Sequence, residues 1–226
     1  MAGIQIVGQD GTSVLVVDPT FDAARINARP LEFNGLGHYG LGISTGILPA
    51  ALTANSEIFQ FRWTDATRFA VIRKVKLSAS VTTTMFAAGV PVEIDMVKAT
   101  SWSAQGTGGT GVNISATLKK RTTGMGSSLV AAGDIRIATT AALGAGTKTL
   151  EGNSLRNIVA GGPITASLNG TIIQPSTLLW ECEVSDGEHP LILAQNEGFV
   201  IRSVAVPATG TWRASVILDW AEVTAY

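Results

Sequence analysis

The stretch Trp212-Arg213-Ala214-Ser215-Val216-Ile217-Leu218-Asp219-Trp220 decides the fold class. Trp212, Ala214, Val216, Leu218 and Trp220 share one parity, and Arg213, Ser215 and Asp219 share the other. Successive side chains of a β-strand point to opposite faces, so this period of two reads as a strand with one dry and one wet face. The pattern recurs upstream. Phe59, Phe61 and Trp63 alternate with Ile58, Gln60 and Arg62. Phe69, Val71, Val75, Leu77, Ala79 and Val81 oppose Lys74, Lys76, Ser78 and Ser80, and Arg73 is the one break. Val92, Ile94 and Met96 oppose Glu93 and Asp95; Ile114, Ala116 and Leu118 oppose Ser115, Thr117 and Lys119. Leu178, Trp180, Cys182 and Val184 oppose Glu181, Glu183 and Ser185. No long segment carries a sustained 3.6-residue period.

Half-buried strands of this kind build antiparallel sheets. Long strands joined by connections rich in Gly, Ala, Thr and Ser predict an all-β fold, an antiparallel β-sandwich of jelly-roll-like type, over residues 54–226. Residues 1–53 predict an N-terminal hairpin and extended arm. The hairpin pairs residues 4–7 with 14–17 around Gly8-Gln9-Asp10-Gly11-Thr12, and Asp18-Pro19 ends it. A short helix is expected around residues 21–27. The glycine-rich stretch that follows carries Leu31, Phe33, Leu36, Tyr39, Leu41 and Ile43. It is too apolar to lie in water, so it must pack on its own domain or on a neighbour.

The chain has 226 residues, of which 46% are hydrophobic and 15% charged, with a net charge of -1. That composition excludes a disordered chain, and it supplies no general polycation for a nucleic-acid backbone. A local basic run (Arg62, Arg68, Arg73, Lys74, Lys76) and an acidic one (Glu181, Glu183, Asp186, Glu188) read as neighbouring strands, paired to each other. Cys182 is the single cysteine; between two glutamates it reads as a small buried hydrophobe rather than a reactive thiol. The first residues lack the basic and apolar regions of a signal peptide. No window is apolar enough for a membrane-spanning helix. The expectation is a soluble chain made in a reducing compartment.

The chemical motifs fail on context. Gly35-Leu36-Gly37-His38-Tyr39-Gly40 spells G-x-G-x-x-G, but Gly42, Gly46 and Pro49 follow where a nucleotide site needs a helix. Gly42-Ile43-Ser44-Thr45-Gly46 spells G-x-S-x-G, with Asp95 and His189 in hydrolase order, but without a strand–turn–helix setting. Glu181 and Glu183 stand on one strand face, roughly 7 Å apart, a spacing that ordinary outward positions also produce. His38 and His189 show no metal-ligand spacing. No catalytic, cofactor or metal residue is assigned, and the chain is read as a non-enzyme that needs no cofactor. Trp63, Trp180, Trp212 and Trp220 sit on apolar parities and read as core. Trp102, beside the Gly/Thr loop 105–111, is the candidate exposed aromatic anchor.

Ala54-Asn55-Ser56-Glu57-Ile58-Phe59-Gln60-Phe61-Arg62-Trp63 resembles a segment of tailed-bacteriophage virion proteins. So do Asn196-Glu197-Gly198-Phe199-Val200-Ile201-Arg202 and Pro207-Ala208-Thr209-Gly210-Thr211-Trp212-Arg213. The resemblance spans about residues 54–223 and implies a structural virion protein, most like a capsid decoration (cement) protein. It implies attachment to the major capsid protein on the outer capsid surface, self-association as a homotrimer, and synthesis in the host bacterial cytoplasm, with no nucleic-acid or membrane partner. Phe21, Phe33 and Tyr39 are the expected arm anchors, with Trp102 as a further partner-binding residue. The alternative is a tail, neck or receptor-binding β-sandwich protein of the virion. A third reading is a hydrolase using Ser44, Glu181 or His189.

Overall fold

The computed structural model describes residues 17–18, 23–24, 37–82, 91–114, 125–160, 172–182, 189–206 and 208–224. The chain forms two compact units, Met1–Pro30 and Leu31–Tyr226. In the first, β1 (Val17–Asp18) pairs antiparallel with β2 (Ala23–Ala24). The described part of the expected helix at residues 21–27 is therefore strand: Ala23 and Ala24 pair across to Asp18 and Val17 instead of along a helix. The hairpin residues 4–16, and the anchors Phe21 and Phe33, lie outside the described residues.

The second unit is an all-β sandwich of two antiparallel sheets. One contains β3 (His38–Ser44), β4 (Leu48–Pro49), β6 (Phe69–Val81), β12 (Ile172–Glu181), β13 (Leu191–Leu193) and β15 (Thr211–Val223). Its order is β12-β6-β15-β3, with β13 beside β6 and β4 beside β15. The other contains β5 (Ser56–Trp63), β7 (Val92–Ala104), β8 (Thr110–Val112), β9 (Ile135–Ile137), β10 (Thr147–Leu150), β11 (Arg156–Ala160) and β14 (Glu197–Ala205). Its order is β10-β7-β14-β5-β9-β8, with β11 also on β7. We call these the β15 sheet and the β14 sheet.

The boundary expected near residue 54 moves. β3 pairs with β15 over seven residues, from Ala221 opposite His38 to Ser215 opposite Ser44, and β4 pairs with Thr211 and Trp212. Residues 38–49, read as arm, are sandwich strands. Tyr39 and Leu41 are buried in the core, and Ile43 packs against it.

The core lies between the sheets. Trp212, Ala214, Val216, Leu218 and Trp220 of β15 meet Phe59, Phe61 and Trp63 of β5, Ile94 and Met96 of β7, and Phe199 and Ile201 of β14. Phe61 stacks on Phe199 at 5.5 Å, Trp220 meets the edge of Phe61 at 5.8 Å, and Tyr39 stacks on Trp220 at 5.4 Å. This aromatic chain joins both sheets. Each indole removes on the order of 200 Å² from water, about 5 kcal/mol before entropy is charged. The buried indoles also keep their polar atoms satisfied: Trp63 Nε1 donates to Arg68 O at 2.8 Å, and Trp212 Nε1 to Pro49 O at 3.2 Å.

Arg73 breaks the parity of β6 for a structural reason. Lys74 stands opposite Asp219, but the next β15 residue, Trp220, stands opposite Ile72. Arg73 is the extra residue of a β-bulge, and a bulge flips which parity faces inward. Val75, Leu77, Ala79 and Val81 face the core beyond it; before it, Ala70 and Ile72 do. Phe69 and Val71, assigned by sequence to the same face as Val75, instead join Ala221 and Val223 on the other side.

Deleting Arg73 should leave a folded protein, because it removes only the unpaired residue and puts Ala70, Ile72, Val75 and Leu77 on one uninterrupted inward parity; a retained cooperative urea transition is the readout, and its loss would count against the bulge assignment. Phe199→Ala should fold and lose about 3–5 kcal/mol in the same assay.

Candidate functional site

The bulge at Arg73 borders a polar depression on the outer face of the β15 sheet. Register aligns Gly40 of β3, Asp219 of β15, Lys74 of β6 and Glu181 of β12 in one row across four strands. Lys74 and Glu181 form an ion pair, so one member of each charged run meets across β6 and β12; Arg62 lies on β5 of the other sheet, and Glu183, Asp186 and Glu188 lie outside the described residues. A cleft of about 180 Å³ opens here, lined by His38, Arg73, Lys74, Glu181, Cys182 and Asp219. Its two basic and two acidic side chains balance in charge, so it offers hydrogen bonds rather than a net field. Cys182 is buried, as its apolar parity implies.

Glu181 also borders a larger groove, about 440 Å³, where β11 and β12 approach. Leu155, Leu178, Leu179 and Trp180 form its apolar wall, and Arg156, Glu181 and His189 its polar rim. The Trp180 ring is held by its Nε1, which donates to Ile72 O at 3.1 Å. An apolar wall with a mixed polar rim suits contact with a surface. Among the described lining residues none offers a hydroxyl or thiol nucleophile beside the imidazole.

Ser44 is elsewhere. It stands opposite Ser215, which stands opposite Ser78, and the Ser44 and Ser215 hydroxyls lie 2.6 Å apart. That row is four residues along β6 from Lys74 and Glu181, roughly 13 Å at the strand rise. The structure thus brings Glu181 and His189 to one groove and leaves Ser44 out of it. Glu183 lies outside the described residues. Among the described residues, no group of three or more His, Cys, Asp and Glu side chains is placed to hold a metal ion.

Trp102, expected as an exposed anchor, and Tyr39, expected as an anchor of the arm, are both 1% exposed. Trp102 is turned inward because β7 carries extra residues between Thr100 and Ala104 relative to β10, with Ser101 in the left-handed region at φ 52°. The indole lies on the outer face of the β14 sheet against Val97, Ala99 and Val200. Gly198 makes room for it: an added Cβ there would come within 2.9 Å of the ring. A glycine inside a strand marks such close approaches, and it was the available sequence signal.

Lys148 closes this pocket from above. Its Nζ sits 4.4 Å from the Trp102 ring centroid and donates to Glu57 Oε2 at 2.8 Å. The two side chains are 2% and 7% exposed. Gln60 Nε2 donates to the same carboxylate at 2.6 Å and to Gly144 O at 3.0 Å, which ties the 142–150 segment to β5. Burial pushes the Lys148 ammonium below its ordinary value, and Glu57 works against that. Beside it, Arg62 donates to Trp102 O at 2.8 Å and pairs with Asp134 at 3.4 Å. Burial raises the Asp134 carboxyl against Thr64 and Arg62. Arg202 grips Asp95 through two bonds of 3.0 and 2.5 Å; that hydrogen bonding, offset in part by burial, holds the guanidinium above its ordinary value.

One carboxylate enters the core. Glu222 continues the inward parity of β15 and is fully buried. It accepts from Ser128 Oγ at 2.6 Å, from the Leu129 N–H at 3.1 Å and from Trp220 Nε1 at 3.2 Å. Burial raises its pKa despite these donors. Tyr39, whose hydroxyl donates to Gly126 O at 3.0 Å, is pushed up to about 12 by burial, with the Glu222 charge adding to it. These groups fasten residues 126–129 to the end of the sandwich.

Comparison with known protein families, with curated proteins and with solved structures finds no match.

Lys148→Met leaves the Glu57 charge buried and should cost about 3–5 kcal/mol, while Glu57→Gln in the same chain should recover most of it. Chemical denaturation of both variants checks this. Glu222 is protonated more readily in the folded state than in the unfolded chain. Its contribution is therefore most favourable below the unfolded carboxyl range and is lost as pH rises through the raised folded value. Glu222→Gln should flatten that part of the stability–pH curve, read as denaturation midpoints between pH 4 and 8.

Proposed function

We propose that this chain is a structural virion protein that binds the outer surface of a phage capsid and stabilises it, as decoration proteins do. The observation that carries the reading is where the resembling segments fall. Residues 54–63 and 196–202 form β5 and β14, which pair directly, with Trp63 opposite Glu197 and Ser56 opposite Ser203. Residues 211–213 of the third segment open β15, whose Trp220 packs on Phe61. Segments distant in sequence and resembling one class of protein thus meet in one core, which supports kinship of the whole sandwich rather than chance likeness of phrases. The filled core and the fastened loops of the β14 sheet suit a rigid body that works by contact. Partners are the major capsid protein and further copies of this chain. Attachment repeated by symmetry turns a modest contact into a durable one.

Residues 1–30 are the proposed docking arm, since the compact sandwich unit begins at Leu31. Removing residues 1–30 should leave a cooperatively folding protein that no longer co-sediments with capsids of its own phage. Undiminished co-sedimentation would count against the arm. Gold label on the tail or neck of virions, with none on the head, would replace the capsid reading with the tail one.

A further inference from the structure

We infer that the open edge of β3 pairs with β3 of a second copy, joining two β15 sheets across a two-fold axis at Gly42. The hydrogen-bond pattern shows which backbone groups are available. Glu222 N–H donates to Gly37 O and Thr45 N–H to Ala214 O. Odd-numbered residues of β3 are therefore bonded to β15, and even-numbered residues point their N–H and C=O groups outward, as an antiparallel ladder requires. At one end the outward N–H of His38 is taken by Met125 Sδ at 3.3 Å; at the other, Gly46 N–H donates to Ala138 O at 3.1 Å. Between these stops the outward backbone groups of Gly40, Gly42 and Ser44 have no partner among the described residues.

Natural sheets guard their edges with short strands, prolines, lysines or bulges. Four of the other edge strands among the described residues do so. β8 has three residues; β12 carries Pro175 and three register shifts; β10 carries Lys148; β4 ends in Pro49. β3 has seven residues, no charged group, no proline and no register shift against β15. It is a long edge without these guards, and strand addition is what such an edge invites.

The symmetry of the open window selects a second copy as the occupant. The stops at His38 and Gly46 each lie four residues from Gly42. An antiparallel copy centred there places Gly42 opposite the partner's Gly42, and Gly40 opposite the partner's Ser44. All three outward residues of each strand then form bonded pairs, six hydrogen bonds in all. Leu41 falls opposite the partner's Ile43 on the inward side. No charges face each other, and a Cβ at Gly42 would meet nothing within 4 Å. The contact is isologous and closes on itself as a dimer. It does not rest on the capsid reading and is tested without particles.

Sedimentation of the full chain at micromolar concentration should give a dimer. Gly42→Ala should keep it. Gly42→Pro, which removes the central donors, and Gly42→Lys, which sets two ammonium groups face to face at the axis, should give monomers with unchanged far-ultraviolet circular dichroism. If the proline variant misfolds, the lysine variant carries the test. Under mild oxidation Gly42→Cys should form a disulfide-linked dimer and Gly40→Cys should not. A wild-type monomer or trimer, a dimer that survives both disruptive substitutions, or cross-linking through Gly40→Cys would overturn the assignment.

Discussion

The pairing of β15 with β6 is the constraint on which the rest of the structure depends. It runs the full length of both strands, and the single extra residue at Arg73 sets its phase. On one side of that residue the phase directs Val75, Leu77, Ala79 and Val81 inward, and on the other Ala70 and Ile72. Because a one-residue slip exchanges the faces of a strand, the bulge makes two stretches of opposite parity serve one core. The same extra residue places Arg73 and Lys74 beside Glu181 and Asp219, so the polar cleft follows from how the core is filled.

The β14 sheet solves a different problem. Its outer face carries apolar Val97, Ala99, Val200 and Trp102, which open water would penalise. The 142–150 segment covers them, and a loop laid over a sheet must satisfy its own backbone. Gln60, Lys148 and Arg62 supply that. Gln60 and Lys148 bond backbone carbonyls of the covering segment, while Arg62 bonds those of Trp102 and Ser103. Glu57 balances the one ammonium brought under cover. A buried pair of this kind gives little net stability against an apolar replacement. What it fixes is where the segment lies.

Much of this was legible in the alternation of side chains. β15 and the inward parity of β5 follow from period two, and so does the all-β sandwich. Arg73 was visible as an irregularity, but only the opposite strand shows that it flips the face of Phe69 and Val71. Tyr39 was misplaced because Gly40 and Gly42 occupy the outward positions of β3. The period is present, with Tyr39, Leu41 and Ile43 inward, but glycine in the wet positions reads as loop. Trp102 was misplaced because its burial depends on the left-handed turn at Ser101, on the gap left by Gly198 and on a segment over 40 residues away. None of these is local to the indole. The groove joining Glu181 to His189 was equally hidden, since it exists only where β11 and β12 come together.

The glycines that concealed β3 also explain its edge. Outward positions of an exposed strand are where a chain ordinarily places lysine or another charged residue, which is how a sheet refuses a neighbour. Here those positions hold His38, Gly40, Gly42 and Ser44, none of them a lysine, an arginine or a carboxylate. Glycine in a strand interior forfeits packing and costs conformational entropy, so two in one seven-residue strand weaken it. A strand weakened in that way, with a backbone left free to bond at its middle and stopped at both ends, is better accounted for by a second strand beside it than by a sheet that ends there. The β15 sheet would then continue through β3 into its copy, and the aromatic chain that starts at Tyr39 would be anchored at the centre of a sheet eight strands wide instead of at its rim.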